Sequence, residues 1–154
     1  MARGRAVAFC ALALIATLVI AGLASDSVLH YLVQSAPVWL VVVLGWRGAQ
    51  LTPWTAMPVF AVWLVLFLIV RLFLFILPPP FDKMFNPLET AMSIAGMLAC
   101  IAGLVMAFRT RSNVPPLGGA LVFVAVAVVQ ITTMCFGYST IFVSDKAIFT
   151  RLFG

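Results

Sequence analysis

Charge is what this chain has least of. Four acidic residues and nine Lys or Arg make up the whole supply in 154 residues, 8% of the sequence. A soluble domain carries about 25% charged residues. With so few charges the chain cannot cover itself in water, which excludes a cytosolic enzyme and a disordered tail. Histidine is scarcer still, with His30 alone, so a bis-histidine haem within one chain is excluded. Three cysteines (Cys10, Cys100, Cys135) fall in separate apolar segments without a C-x-x-C pair, which removes the zinc and dithiol motifs. Each reads as a small buried hydrophobe. The net charge of +5 comes from Lys and Arg scattered in short segments between apolar runs. Nucleic-acid binding needs a clustered basic face, so no nucleic-acid partner is expected.

What the chain has in excess is apolar surface: 65% of residues are hydrophobic and the mean hydropathy is +1.23. A membrane span takes about 20 such residues. Five apolar segments can be drawn, at 6–24, 28–46, 54–77, 88–108 and 117–143. The expected fold is all-α, a polytopic integral membrane bundle of five transmembrane helices forming one domain over 1–154. A four-helix alternative leaves 28–46 outside the membrane. The first segment follows a basic start (Arg3, Arg5) and could pass for a signal peptide, but it exceeds the about 7–15 residues of a signal's apolar region. A retained helix is the better reading. Ser25-Asp26-Ser27 reads as a tight turn with N-cap residues, and Thr52-Pro53 and Asn86-Pro87 as helix starts. Pro78-Pro79-Pro80 ends the third segment. Pro37 has no N–H to offer Val33 and should kink the second.

Basic residues mark the cytoplasmic side of membrane proteins. With five spans and the N-terminus inside, Arg3, Arg5, Arg47, Arg109 and Arg111 lie inside, whereas Lys83, Lys146 and Arg151 lie outside with the C-terminus. The four acids also fall outside. Trp46 and Trp54 then mark the inner interface, and Tyr31, Phe81, Phe85 and Tyr138 the outer one. The four-helix alternative gives the same basic count but exposes the run Val38-Trp-Leu-Val-Val-Val-Leu44 to water. The short loops suggest a bacterial inner membrane, and the C-terminal 144–154 is amphipathic enough to lie along the outer surface.

Two features bear on packing. The fourth segment repeats small residues every fourth position (Ala91, Ala95, Ala99, Gly103, Ala107), which either forms a self-association face or places this helix at the bundle centre. The third is bulky on all sides, with Phe60, Trp63, Phe67, Phe73 and Phe75, as suits lipid contact or a large partner.

Intramembrane polar residues are costly, and each is a site hypothesis by default. At about 1.5 Å of rise per residue, Arg71 and Gln34 both lie about 9 Å below the outer boundary, and Gln130 about 12 Å below it. His30, Ser93, Thr132, Thr133 and Glu89 share that half, whereas the inner half is almost purely apolar. Ser27, His30 and Gln34 share one helical face, as do Gln130 and Thr133 on the fifth segment. The expectation is a polar pocket open to the outer leaflet, lined by Arg71, Gln34, His30, Gln130, Glu89, Thr133 and Ser93. Segments two to five would wall it, with Arg71 as its fixed charge. Plainer readings stand beside this one: Arg71 snorkels or pairs with Glu89 or Asp82, His30 is a hydrogen-bonded interfacial residue, and Gln130 bonds a neighbouring helix.

Three functions fit. The first is a non-enzymatic accessory subunit or a scaffold contacting a lipid or quinone headgroup. The second is an oligomeric transporter or channel subunit, for which no inverted repeat is visible. The third is an intramembrane enzyme, for which no nucleophile–base pair or metal-ligand set is spaced correctly. No cofactor is expected. Membrane lipids are the expected partners, with a homo-oligomer or a larger membrane complex.

Overall fold

The strongest local prediction concerns Pro37, and the helix does break there. In a computed structural model, which describes residues 2–25, 27–76 and 87–137, the second apolar segment forms two helices. These are α2 (Val28–Gln34) and α3 (Ala36–Arg47), bent by 52° at Ser35. The break falls two residues before the proline, because Pro37 occupies the first turn of the new helix, where a missing N–H costs nothing. The other helices are α1 (Ala2–Ala24), α4 (Thr52–Ile76), α5 (Pro87–Arg109) and α6 (Pro116–Gly137). Four of them are long and apolar enough to cross a membrane, or five spans result if the bent pair counts as one. The described residues contain no strand. Asp26, the stretch 77–86 with Asp82 and Lys83, and residues 138–154 with Tyr138 and the C-terminal tail lie outside the described residues.

The ends of the elements show which polar signals acted as caps. Ser27 sits at the N-cap of α2 but makes no side-chain cap bond; its hydroxyl donates back to the Ser25 carbonyl at 3.1 Å. Thr52 likewise donates to the Ala49 carbonyl at 2.7 Å rather than accepting from α4. The close of α3 is firmer. Gly48 takes a left-handed conformation (φ 64°), Ala49 N–H reaches the Leu44 carbonyl at 3.0 Å and Gly48 N–H the Gly45 carbonyl at 3.2 Å. That is a Schellman closure, which glycine accommodates without a Cβ penalty.

The helices pack as a ring in the order α1, α5, α4, α6 and the α2–α3 pair, which returns to α1; α3 also touches α4. The shared interior holds Leu14 and Leu18 of α1, Val38 and Val41 of α3, Val59, Phe60 and Trp63 of α4, Cys100 of α5 and Val126 of α6. Outside, Leu117, Leu121, Val124 and Val128 of α6 are exposed, as are Leu98 and Phe108 of α5. A contiguous apolar exterior of this kind belongs in lipid, since water-soluble monomers keep such patches small.

Two packing expectations need correction, and a third, left between two alternatives, is resolved. Phe60 and Trp63 of α4 are buried in the core rather than turned to lipid or a partner. They fit there because small residues face them: a Cβ on Gly103 of α5 would collide with the Phe60 ring, and one on Gly96 would lie 2.7 Å from the Phe67 ring. The small-residue stripe of α5 also does not act as one face. Gly103 and Ala107 are buried with Gly96 and Cys100, Ala95 and Ala99 are half-buried, and Ala91 is exposed. The stripe therefore turns inward toward α1 and α4 for most of its length, which is the bundle-centre reading. Of the cysteines, Cys100 is buried and Cys10 half-buried, but Cys135 is exposed.

Candidate functional site

The broken span leaves backbone carbonyls without helical partners, and the polar side chains of α2 and α6 go to them. Val38 N–H turns to the Ser35 carbonyl at 2.9 Å, so the Gln34 carbonyl loses its usual i+4 donor. Gln130 of α6 supplies one instead, its Nε2 donating to the Gln34 carbonyl at 3.2 Å. Ser35 Oγ donates to the Leu32 carbonyl at 2.9 Å. In return α2 donates to carbonyls near the end of the described part of α6. His30 Nδ1–H donates to the Gly137 carbonyl at 2.6 Å, and Gln34 Nε2 to that of Met134 at 3.5 Å. The two helices thus exchange side-chain-to-backbone hydrogen bonds. Gln130 is fully buried, and its Oε1 has no hydrogen-bond partner among the described residues.

This arrangement predicts a specific cost. Gln130→Leu keeps the volume but strands the Gln34 carbonyl, and a lost interhelical hydrogen bond in a membrane costs about 0.6–1.7 kcal/mol. The loss is read as a lower midpoint in detergent titration of helicity, and an unchanged midpoint would show that the bond carries no stability.

A cavity of about 370 Å³ opens on the other side of α2, between α1, α2, α4 and α5. Five of the seven polar residues singled out from the sequence line it: His30, Gln34, Arg71, Glu89 and Ser93. Arg71 is held at its edge, Nη2 donating to the Thr90 carbonyl at 2.5 Å and to Ser93 Oγ at 2.7 Å. Ser93 in turn donates to the Thr90 carbonyl at 2.9 Å. Position 71 thereby meets the first turn of α5, and its guanidinium binds backbone and hydroxyl there; Asp82, one of its two expected acidic partners, lies outside the described residues. Glu89 stands one turn earlier on α5 and also faces the cavity. Away from this polar edge the walls are Leu18, Ala21, Leu66, Phe67, Val70 and Met92.

The walls differ from expectation. The first segment, not the fifth, closes the cavity, because α1 packs between α5 and the α2–α3 pair. Gln130 and Thr133 consequently do not line it. Gln130 is occupied with the Gln34 carbonyl. Thr133 donates to the Gln130 carbonyl at 2.9 Å and borders a separate apolar hollow with Pro37, Leu40 and Val126. Two lining residues carried no clear sequence signal. Thr17 is a lone hydroxyl in apolar α1, and its Oγ1 donates to the Leu14 carbonyl at 2.7 Å. Trp63 was indistinguishable from its aromatic neighbours, yet it lines the cavity and its buried Nε1 finds no acceptor among the described residues. Neither position is marked by periodicity; helix order alone brings them to the cavity.

The opposite end of the bundle is knitted by its loops. Arg3 Nη1 donates to the Arg109 carbonyl at 2.9 Å and closes the C-terminus of α5. Trp54 Nε1 donates to Ser112 Oγ at 3.2 Å, Ser112 Oγ to the Gln50 carbonyl at 2.8 Å, and Asn113 N–H to Gln50 Oε1 at 3.0 Å. No group of three or more His, Cys, Asp and Glu side chains assembles among the described residues. Compared with protein-family models, with curated protein sequences and with solved structures, the chain matches none.

Proposed function

We propose that this chain is a non-enzymatic integral membrane protein, an accessory subunit or lipid-interacting scaffold, that receives the polar head of a phospholipid or quinone in its outer half. The observation that supports it is a mostly apolar cavity with an arginine fixed at its polar edge. A volume of about 370 Å³ falls within the range of ligand pockets, roughly 300–1,000 Å³. Arg71 uses Nη2 on α5, and a guanidinium carries five N–H donors in a planar fork suited to phosphate or carbonyl oxygens. The orientation follows the basic residues: Arg3, Arg5, Arg47, Arg109 and Arg111 gather at one end, which faces the cytoplasm of a bacterial inner membrane. The bent α2–α3 pair then serves as one of five spans, with the C-terminus outside.

The test is native mass spectrometry of protein extracted in mild detergent, comparing wild type with Arg71→Gln. A bound lipid or quinone is expected on the wild type. The variant should retain it about tenfold to a hundredfold less, since a hydrogen bond to a charged group contributes about 1.5–3 kcal/mol. Equal retention by both proteins, or no bound molecule on either, would remove this reading.

One observation favours a second reading, an oligomeric transporter or channel subunit. Discontinuous helices beside buried polar side chains mark substrate paths in carriers, and the α2–α3 break lies beside Gln34 and Gln130. Flux through proteoliposomes that falls in both Arg71→Ala and Gln130→Ala would support it; flux unchanged by both would end it.

A further inference from the structure

The basic end of the bundle is not a flat patch but a hollow of about 440 Å³ between the start of α1, the α3–α4 turn and the residues after α5. Arg3 and Arg111 reach it from two sides, and Gln50 and Thr110 add polar groups. Its shape comes from a close approach of α1 and α3, where the buried Gly4 and the exposed Gly48 border the hollow. Among the described residues no carboxylate competes for the arginines: Glu89, the one acid there, belongs to the opposite end. Arg3 is held in place by its bond to the Arg109 carbonyl, so its fork is already ordered before an anion arrives. Two arginines bordering one hollow suit a phosphodiester, whose two free oxygens accept paired N–H bonds.

We infer that this hollow binds the phosphate of an anionic phospholipid from the leaflet at the basic end. This is a site separate from the Arg71 cavity and independent of the function proposed for it. Basic pockets between transmembrane helices on the cytoplasmic side hold lipid headgroups in this way. Lipid rather than free phosphate is favoured by what lies deeper in the bundle. Phe9 follows Gly4 on α1 by about 7.5 Å of helix rise. It is 59% exposed and packs edge-on against Trp46 of α3, itself 53% exposed, with ring centroids 5.7 Å apart. That aromatic pair offers an acyl chain a surface below the headgroup.

The experiment titrates the full chain in detergent with dioleoylphosphatidylglycerol, dioleoylphosphatidylcholine or inorganic phosphate, counting bound molecules by native mass spectrometry. Phosphatidylglycerol should bind at least about tenfold more tightly than phosphatidylcholine. The preference should vanish in Arg3→Gln/Arg111→Gln, given about 1 kcal/mol per basic residue near a membrane surface. Arg111→Gln alone leaves the Arg3 bond to α5 intact, so its weaker binding separates lost recognition from lost folding. Arg5→Gln removes the same charge from the same end without touching the hollow, and should change affinity by less than about twofold. The inference is overturned if Arg5→Gln weakens binding as much as Arg111→Gln, or if inorganic phosphate binds as tightly as phosphatidylglycerol.

Discussion

One added methyl group, in Gly45→Ala, is expected to force α1 away from α3 and lower stability by about 2–3 kcal/mol, toward the upper range for overpacking. The Cβ would lie 2.7 Å from the Gly4 carbonyl oxygen and 3.0 Å from the Ala8 Cβ. The first of these is backbone, so no side-chain rotation relieves it and a whole helix must shift. Without a hydrophobic drive between helices in lipid, association rests on such close packing. The measurement is the thermal midpoint of the helical signal in detergent, with Gly118→Ala as the comparison. There the new Cβ meets only Val114 Cγ1 at 3.6 Å, an ordinary contact, and the helix gains up to about 1 kcal/mol from alanine's propensity. Equal midpoints for the two variants would show that α1 and α3 do not meet as closely as described.

Filling the cavity should abolish ligand retention as completely as removing its charge. Ala21 of α1 lines the cavity with a methyl side chain, and its polar contact is through the backbone carbonyl, accepting from Ser25. In Ala21→Phe a ring would occupy the space while Arg71 keeps its bonds to Thr90 and Ser93. Two outcomes separate the contributions of space and charge. If native mass spectrometry shows the co-extracted molecule gone from both Ala21→Phe and Arg71→Gln, it occupies the cavity with its head at Arg71. Retention by Ala21→Phe with loss from Arg71→Gln would place that molecule outside the cavity, against the outer face of α4 and α5.

The helix boundaries and the polar half of the bundle were legible in the sequence because both follow from local chemistry. Pro37 marked the break in the second segment, whereas the expected stop at Pro78-Pro79-Pro80 lies outside the described residues, and the cost of polar groups in lipid drew attention to Arg71, Ser93, Gln34 and His30. Neighbour relations were not legible. Nothing in residues 6–24 shows that α1 inserts between α5 and α2, so the wall contributed by Thr17 and Ala21 was missed and the fifth segment was given its place. Gln130 was placed in the pocket by depth alone, although its partner is a carbonyl freed by a break in another helix. The aromatic residues of α4 misled for the same reason: Phe60 and Trp63 look like lipid-facing bulk until the small residues of α5 are brought opposite them.

The exchange between α2 and α6 has a consequence for how the protein is made. A helix of seven residues is too short to hold itself together, and α2 ends in a carbonyl that only Gln130 of α6 serves. In the five-span arrangement proposed above, segment two enters the bilayer unfinished and waits through the synthesis of α4 and α5 for its partner. In that arrangement, a chain truncated before α6 would contain three complete spans and one that cannot close. Its insertion assay should show segment two exposed to aqueous labelling until the last described helix has emerged.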